Sequence, residues 1–238
     1  MFGRFLELGV ATGDIRASVQ FYERLGFKQL IAGDAWPHRY GVLGDGRLPL
    51  GLHESAMPAP AITFVLPKLE RAQRRLLAAG IEPELTRLGD ESLNQLRLRD
   101  PAGHPVVLLE ARTFSPAPAD SGCQSLCGYF LHLSLPQSNF AAARDFWERG
   151  GFVALPELDE PYLHLPLTSD GLDLAFHQRR TFDAPMLVFE SSDLPQQLAR
   201  LRELGLTPGE LPAGITHQHG AMLQTPEGAA LLLLQSAA

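Results

Sequence analysis

FYERLGF, at 21–27, returns 125 residues later as FWERGGF, at 146–152. Each stretch reads as the end of an amphipathic helix. Apolar side chains recur at helical spacing, an arginine falls in the last turn, and a glycine followed by phenylalanine marks the stop. Working outward, the same offset recurs. DPAG at 100–103 returns as TPEG at 225–228, and Gly80 and Pro83 return as Gly205 and Pro208. The closing Leu108-Leu109-Glu110 returns as Leu233-Leu234-Gln235. Self-similarity at a fixed period marks a duplicated structural unit, so each half can be read against the other.

The halves divide again. Gly26 and Gly80 lie 54 residues apart, each ending a helical pattern, and Gly151 and Gly205 repeat that spacing. Four modules follow, at 1–55, 60–112, 128–178 and 184–238. They group into a first half over 1–115 and a second over 126–238. The stretch 113–127, with SPAPADSG at its centre, has the composition of a loop and reads as the linker.

Each module reads as a strand, a helix, then two or three more strands. In the first, alternation over 5–11 predicts a strand, and Asp14 is placed to cap a helix that Gly26 ends. Strands are expected over 28–32, 39–43 and 48–53, and the third module repeats the order, with strands over 162–167 and 172–177. One helix per four strands covers a single sheet face, which leaves the other to line a hollow. Alternation puts Leu6, Leu8, Val10, Leu48, Leu50 and Leu52 under the helix. In the third module Leu131, Leu133, Leu135, Leu172, Leu174 and Phe176 take that place. The opposite face carries small residues and a few ionisable ones. Modules two and four are apolar on both faces and read as the walls of the same hollows.

At 238 residues and 45% hydrophobic, the chain can bury an ample core. A net charge of −7 without a basic run argues against nucleic-acid binding. No stretch reaches the ~18–20 apolar residues of a membrane span. The N-terminus enters a strand pattern directly, so a cytoplasmic protein, monomer or homodimer, is expected. Cys123 and Cys127, both in the linker, are expected as free thiols. GxSxG, P-loop and Rossmann glycine patterns do not occur, so nucleophilic and nucleotide-dependent chemistry have no support.

The module order, the helix ending in FYERLGF and the DPAGHPVVLLE that closes module two resemble the vicinal oxygen chelate superfamily. That group contains glyoxalase I, extradiol dioxygenases and the bleomycin-binding proteins. The resemblance implies an α+β fold in which four βαβββ modules pair into two incomplete barrels, each around a cavity. It also implies a divalent metal (Fe, Mn, Ni or Zn) held in two columns of inward residues. Here the first-strand column reads Glu7, Ala61, His132 and Met186, and the last-strand column Gly51, Val107, Ala175 and Leu232. Three or more converging donors are needed, and these columns supply one per half. The expectation is therefore no cofactor.

His132, His177 and Asp173 share one predicted face and are the sharpest constellation, with a metal triad as the lesser reading because their spacing scatters them along the strands. Glu7, His53, Tyr40 and Tyr162 complete the candidate ligand-binding set. His53 and His177 are expected near a cavity rim, and His217 and His219 as an HxH pair on a strand, also at a rim. His104 is expected to be exposed, and Trp36 to be core. The expected function is metal-free binding of a small organic ligand, chiefly in the second half. The alternative is a metal-dependent lyase, isomerase or ring-cleaving dioxygenase whose ligands have moved.

Overall fold

The computed structural model describes residues 2–31, 36–57, 60–89, 93–111 and 125–236. Cys123 and most of the linker lie outside these residues. Module one comprises β1 (Arg4–Ala11), α1 (Ile15–Arg24), β2 (Lys28–Leu30), β3 (Tyr40–Gly44) and β4 (Pro49–His53). Module two comprises β5 (Ala61–Leu66), α2 (Leu69–Ala78), β6 (Leu85–Arg87), β7 (Gln95–Arg99) and β8 (Pro105–Glu110). Module three comprises β9 (Tyr129–Gln137), α3 (Phe140–Gly150), β10 (Val153–Ala154), β11 (His164–Thr168) and β12 (Leu174–Gln178). Module four has β13 (Met186–Ser191), α4 (Leu194–Glu203), β14 (Gly220–Gln224) and β15 (Ala230–Gln235).

The helix starts follow from the sequence. The Asp14 carboxylate accepts from the backbone N–H groups of Arg16 and Ala17, each at 3.0 Å, and Asn139 and Asp193 cap α3 and α4 in the same way. At the stops, Gly26 has φ +90 and Gly151 φ +106, a region open to glycine at no steric cost.

Modules one and two make one eight-stranded sheet, ordered β2-β3-β4-β1-β5-β8-β7-β6, with β1 antiparallel to β5 at its centre. Modules three and four make a seven-stranded sheet, β10-β11-β12-β9-β13-β15-β14, with β9 and β13 in the equivalent place. Module four therefore departs from the expected order by one strand. The segment LTPGELPAGI between α4 and β14 makes a single isolated bridge, Gly209 to Met222. Pro208 and Pro212 remove two backbone donors there, which prevents a continuous ladder.

The helices of both sheets meet in one core. Leu8, Leu50, Tyr22, Leu133, Phe176 and Trp147 are all buried in a single cluster that spans both halves. The opposite, concave faces carry separate small clusters: Ala61, Val65, Val107 and Leu109 in the first half, and Met186, Val188, Met222 and Leu232 in the second. Two of the expected faces are corrected. Leu6 and Leu131 pack on the concave side rather than under the helices. The cause is a β-bulge in each central strand pair, between Phe5 and Glu7 in one and between Val188 and Phe189 in the other. An extra residue on one strand flips the alternation beyond it.

Candidate functional site

Four positions on the concave face recur in both halves: Glu7, His38, Tyr40 and His53 in the first, His132, Tyr162, His164 and His177 in the second. Register makes the equivalence. Tyr40 lies opposite His53 across β3 and β4, and His164 lies opposite His177 across β11 and β12. Glu7 and His132 occupy corresponding points of the central strands, where their cross-strand partners are Thr63 and Val188.

In the first half the four side chains form a hydrogen-bonded array. The Tyr40 hydroxyl donates to Glu7 Oε2, and His53 Nε2 lies 3.1 Å from Glu7 Oε1. His53 Nδ1 lies 3.0 Å from His38 Nε2. Glu7 is 1% exposed and His53 0%, so the carboxyl group is buried with both oxygens hydrogen-bonded, as a buried polar group requires. His53 thus sits at the bottom of the hollow rather than at its rim. Trp36 crosses the His53 ring edge-on at 5.0 Å and closes the array from above. Gly51 makes the arrangement possible, because a Cβ there would come within 2.5 Å of the Glu7 carboxyl carbon. Burial, with the Glu7 charge adding to it, raises the Tyr40 hydroxyl well above its ordinary value and keeps it a donor. Thr63 Oγ1, in register with Glu7, is buried without a hydrogen-bond partner.

The second half has no carboxylate at the corresponding point. His177 Nδ1 is 2.8 Å from Ser134 Oγ and its Nε2 is 2.8 Å from the Phe182 carbonyl. The Tyr162 hydroxyl donates to Ser134 Oγ at 3.5 Å, and His164 Nδ1 is 2.8 Å from the Tyr162 carbonyl. The His132 and His164 rings stack at 5.9 Å and 28°. His132 Nε2 is shielded from solvent and has no hydrogen-bond partner. Burial, reinforced by His164 and His177, pushes its pKa down to about 3. His177 falls to about 4, again chiefly through burial.

Several sequence expectations change. Asp173 does not join the histidines. It precedes β12, accepts from the Thr168 hydroxyl at 2.7 Å, and borders a cavity of about 290 Å³ with Arg47 and Phe130 at the seam between the halves. A larger seam cavity of about 400 Å³, walled by Phe5, Phe64 and Phe152, also lies away from the concave faces. Tyr162 precedes β11 instead of opening it, although it is buried on the concave side. His217 and His219 are exposed in a turn, not on a strand. His104 is not exposed: its Nδ1 lies 3.1 Å from both carboxylate oxygens of Asp100, which is buried between the halves. His38 and His164 were missed. Aligning β3 with β11 at an offset of 124 would have found both, since His38 then falls on Tyr162 and Tyr40 on His164.

The repeat that opened the sequence is structural. Tyr22 and Trp147, the second aromatic of each copy, reach across to the turn that closes the other half. The Tyr22 hydroxyl is 3.4 Å from Glu227 Oε2, and Trp147 Nε1 is 3.4 Å from Asp100 Oδ2.

Residues 4–108 match the model of the Glyoxalase/Bleomycin resistance protein/Dioxygenase superfamily. Solved structures extend the likeness to both halves. A catechol 2,3-dioxygenase is 18% identical with a TM-score of 0.58, covering 98% of this chain and 93% of its own. Homoprotocatechuate 2,3-dioxygenase from Brevibacterium fuscum, in complex with 3,4-dihydroxyphenylacetate, is 15% identical with a TM-score of 0.64, covering 99% and 81%. A Mn(II)-bound glyoxalase from Novosphingobium aromaticivorans is 15% identical with a TM-score of 0.63, covering 98% and 81%. The first half is thereby a member of this superfamily, and the second half shares its fold. At such identities the solved structures establish the fold alone, and no curated protein matches the sequence.

The superfamily implies a divalent metal on the concave face, and the donor set of this chain does not fit one. The residues in register with Glu7 are Thr63 and, one strand further, Val107; those with His132 are Val188 and Leu232. The first-half donors are engaged with one another in a chain, His38 to His53 to Glu7, instead of converging on a point. No group of three His, Cys, Asp or Glu among the described residues could hold an ion.

Proposed function

We propose that the chain is a small-molecule binding member of the superfamily, with its principal site on the concave face of the second half around His132. The unpartnered imidazole carries this reading. A buried polar nitrogen left without a partner costs about 1–3 kcal/mol, which a bound molecule that hydrogen-bonds it would recover. Tyr162, Met186, Val188 and Leu232 supply apolar walls around it, the mixture of greasy surface and few polar groups that small-molecule sites use. The equivalent Glu7 is already saturated from within the protein.

The test is a fragment screen by ligand-observed NMR, with hits titrated into wild type, His132→Ala and Glu7→Ala. His132→Ala is expected to weaken binding at least tenfold, about 1.4 kcal/mol, and Glu7→Ala to weaken it less. Equal losses would mean two equivalent sites, and a loss confined to Glu7→Ala would move the function to the first half.

A metal-dependent lyase, isomerase or ring-cleaving dioxygenase is the second reading. The fold shared with two dioxygenases and a Mn(II)-bound glyoxalase favours it, as does the stacking of His164 beside His132. Metal analysis of protein purified without chelator separates the two. Well under one equivalent of Fe, Mn, Ni or Zn supports binding alone. A stoichiometric metal that is lost with His132→Ala establishes the enzyme reading.

A further inference from the structure

We propose that the second-half site takes an uncharged molecule with a hydroxyl head on an apolar body, a phenol or an alcohol, in preference to a carboxylate or an amine. This deepens the preceding reading and rests on it. The inference comes from where the protons sit. A backbone carbonyl can only accept, so the 2.8 Å contact between His164 Nδ1 and the Tyr162 carbonyl puts the proton on Nδ1. A neutral His164 then presents Nε2 as a bare lone pair. The same logic puts a proton on His177 Nε2, which faces the Phe182 carbonyl. His177 Nδ1 is thereby an acceptor for the Ser134 hydroxyl, which in turn accepts from Tyr162. That chain is closed and uncharged. The free valences are His164 Nε2 and the nitrogens of His132, and one hydroxyl can donate to the former and accept from the latter.

Among the described residues, nothing on this face balances a charge. The buried cluster is Tyr162, Met186, Val188, Ile215, Met222 and Leu232 with Ala230. Asp183, which acts on His177, is paired with Arg179 at 2.8 Å, and Asp173 lies at the seam with Thr168. An ion entering here would lose hydration without a partner, a penalty of several kcal/mol that a neutral hydroxyl avoids. Leu131, Phe182, Leu211 and Leu234 pack on the cluster but stay partly exposed, so the face is reached past an apolar rim. Met186 and Met222 are unbranched and can shift to fit a ring.

Phenol, benzoate and benzylamine, added at about 1–10 mM where a fragment of this size is expected to bind, distinguish the possibilities. Methyl-carbon NMR of the methionines localises each probe, since Met186 and Met222 lie on this face. Phenol is expected to shift both methyl signals, with benzoate and benzylamine binding at least tenfold more weakly. His132→Phe, which keeps a ring without a nitrogen, and His164→Phe, which removes the lone pair, are each expected to weaken phenol at least tenfold. If benzoate or benzylamine shifts the same methyls as strongly as phenol, the ligand class is wrong while the site stands. Phenol binding that leaves those methyls unmoved, or that survives both substitutions, overturns the site as well. No methyl shift from any probe overturns the hydroxyl proposal and leaves the site to the fragment screen.

Discussion

One exchange, glutamate in β1 for histidine in β9, sets the electrostatic character of each half. With Glu7 the hollow holds a buried carboxyl group, which hydrogen-bonds Tyr40 and His53 and requires a glycine at position 51. With His132 the same position is neutral, and Ala175 stands where Gly51 stood. The neutrality has a consequence in acid. The folded protein holds His132 at about 3 and His177 at about 4, whereas the unfolded chain takes up a proton near the ordinary 6.5. The unfolded state therefore binds more protons below pH 6.5, and stability falls as pH drops through the window down to these folded values. Each such group contributes a slope of about 1.36 kcal/mol per pH unit at most. Urea unfolding of wild type between pH 7 and 4 should show this loss. His132→Phe should show a shallower one, and identical slopes would mean that His132 is protonated in the folded protein.

At the scale of elements, caps and stops are local and were legible. Asp14, Asn139, Gly26 and Gly151 act as their residue types dictate, because a helix end is completed within a few residues. The bulges were not legible, since an extra residue in β1 or β9 has meaning only against its partner strand. Gly150 shows the same limit. It reads as a residue near a helix end, where alanine would ordinarily stabilise by about 0.5–1 kcal/mol. In the fold, a Cβ at Gly150 would lie 2.2 Å from a ring carbon of Phe2, which packs between Phe64, Phe146 and Trp147. Phe2 is also tied by its N–H to the Gly150 carbonyl at 2.7 Å. Overpacking outweighs propensity here, so Gly150→Ala should destabilise by about 1–3 kcal/mol in thermal or urea unfolding. An unchanged or raised midpoint would mean that Phe2 moves freely.

Across the whole molecule, the halves are joined by helix-side packing and by the turns that close modules two and four. Asp100 is engaged from both sides of that join. Besides capping its own turn and holding His104, it accepts from Gln137 Nε2 at 2.6 Å and from Trp147 Nε1 at 3.4 Å. Burial alone would raise its pKa, but the His104 and Gln137 donors outweigh burial and hold it below the ordinary 3.8. Its stabilisation is therefore complete above that value and is lost as pH falls through the lower folded one. Asp100→Asn turns an amide N–H toward donors or forfeits one of them. A loss of about 1–3 kcal/mol is expected at pH 7, shrinking as wild type itself protonates below pH 3.8. A difference that persists unchanged at pH 2 would show that the charge is irrelevant to the join.

The sequence by itself determined the duplication, the four modules, the helices with their ends, and most of the leucines that lie under them, Leu6 and Leu131 excepted. Each of these follows from local chemistry or from a fixed repeat. It also determined that these metal columns supply one donor per half, because that is a matter of residue type. Tertiary structure alone decided that Glu7 is hydrogen-bonded by Tyr40 and His53, that Asp173 stands apart, and that His132 Nε2 is buried without a partner. Those outcomes depend on which side chains meet across strands distant in sequence. Register fixes that, and two bulges shifted the register in a way no alternation pattern records.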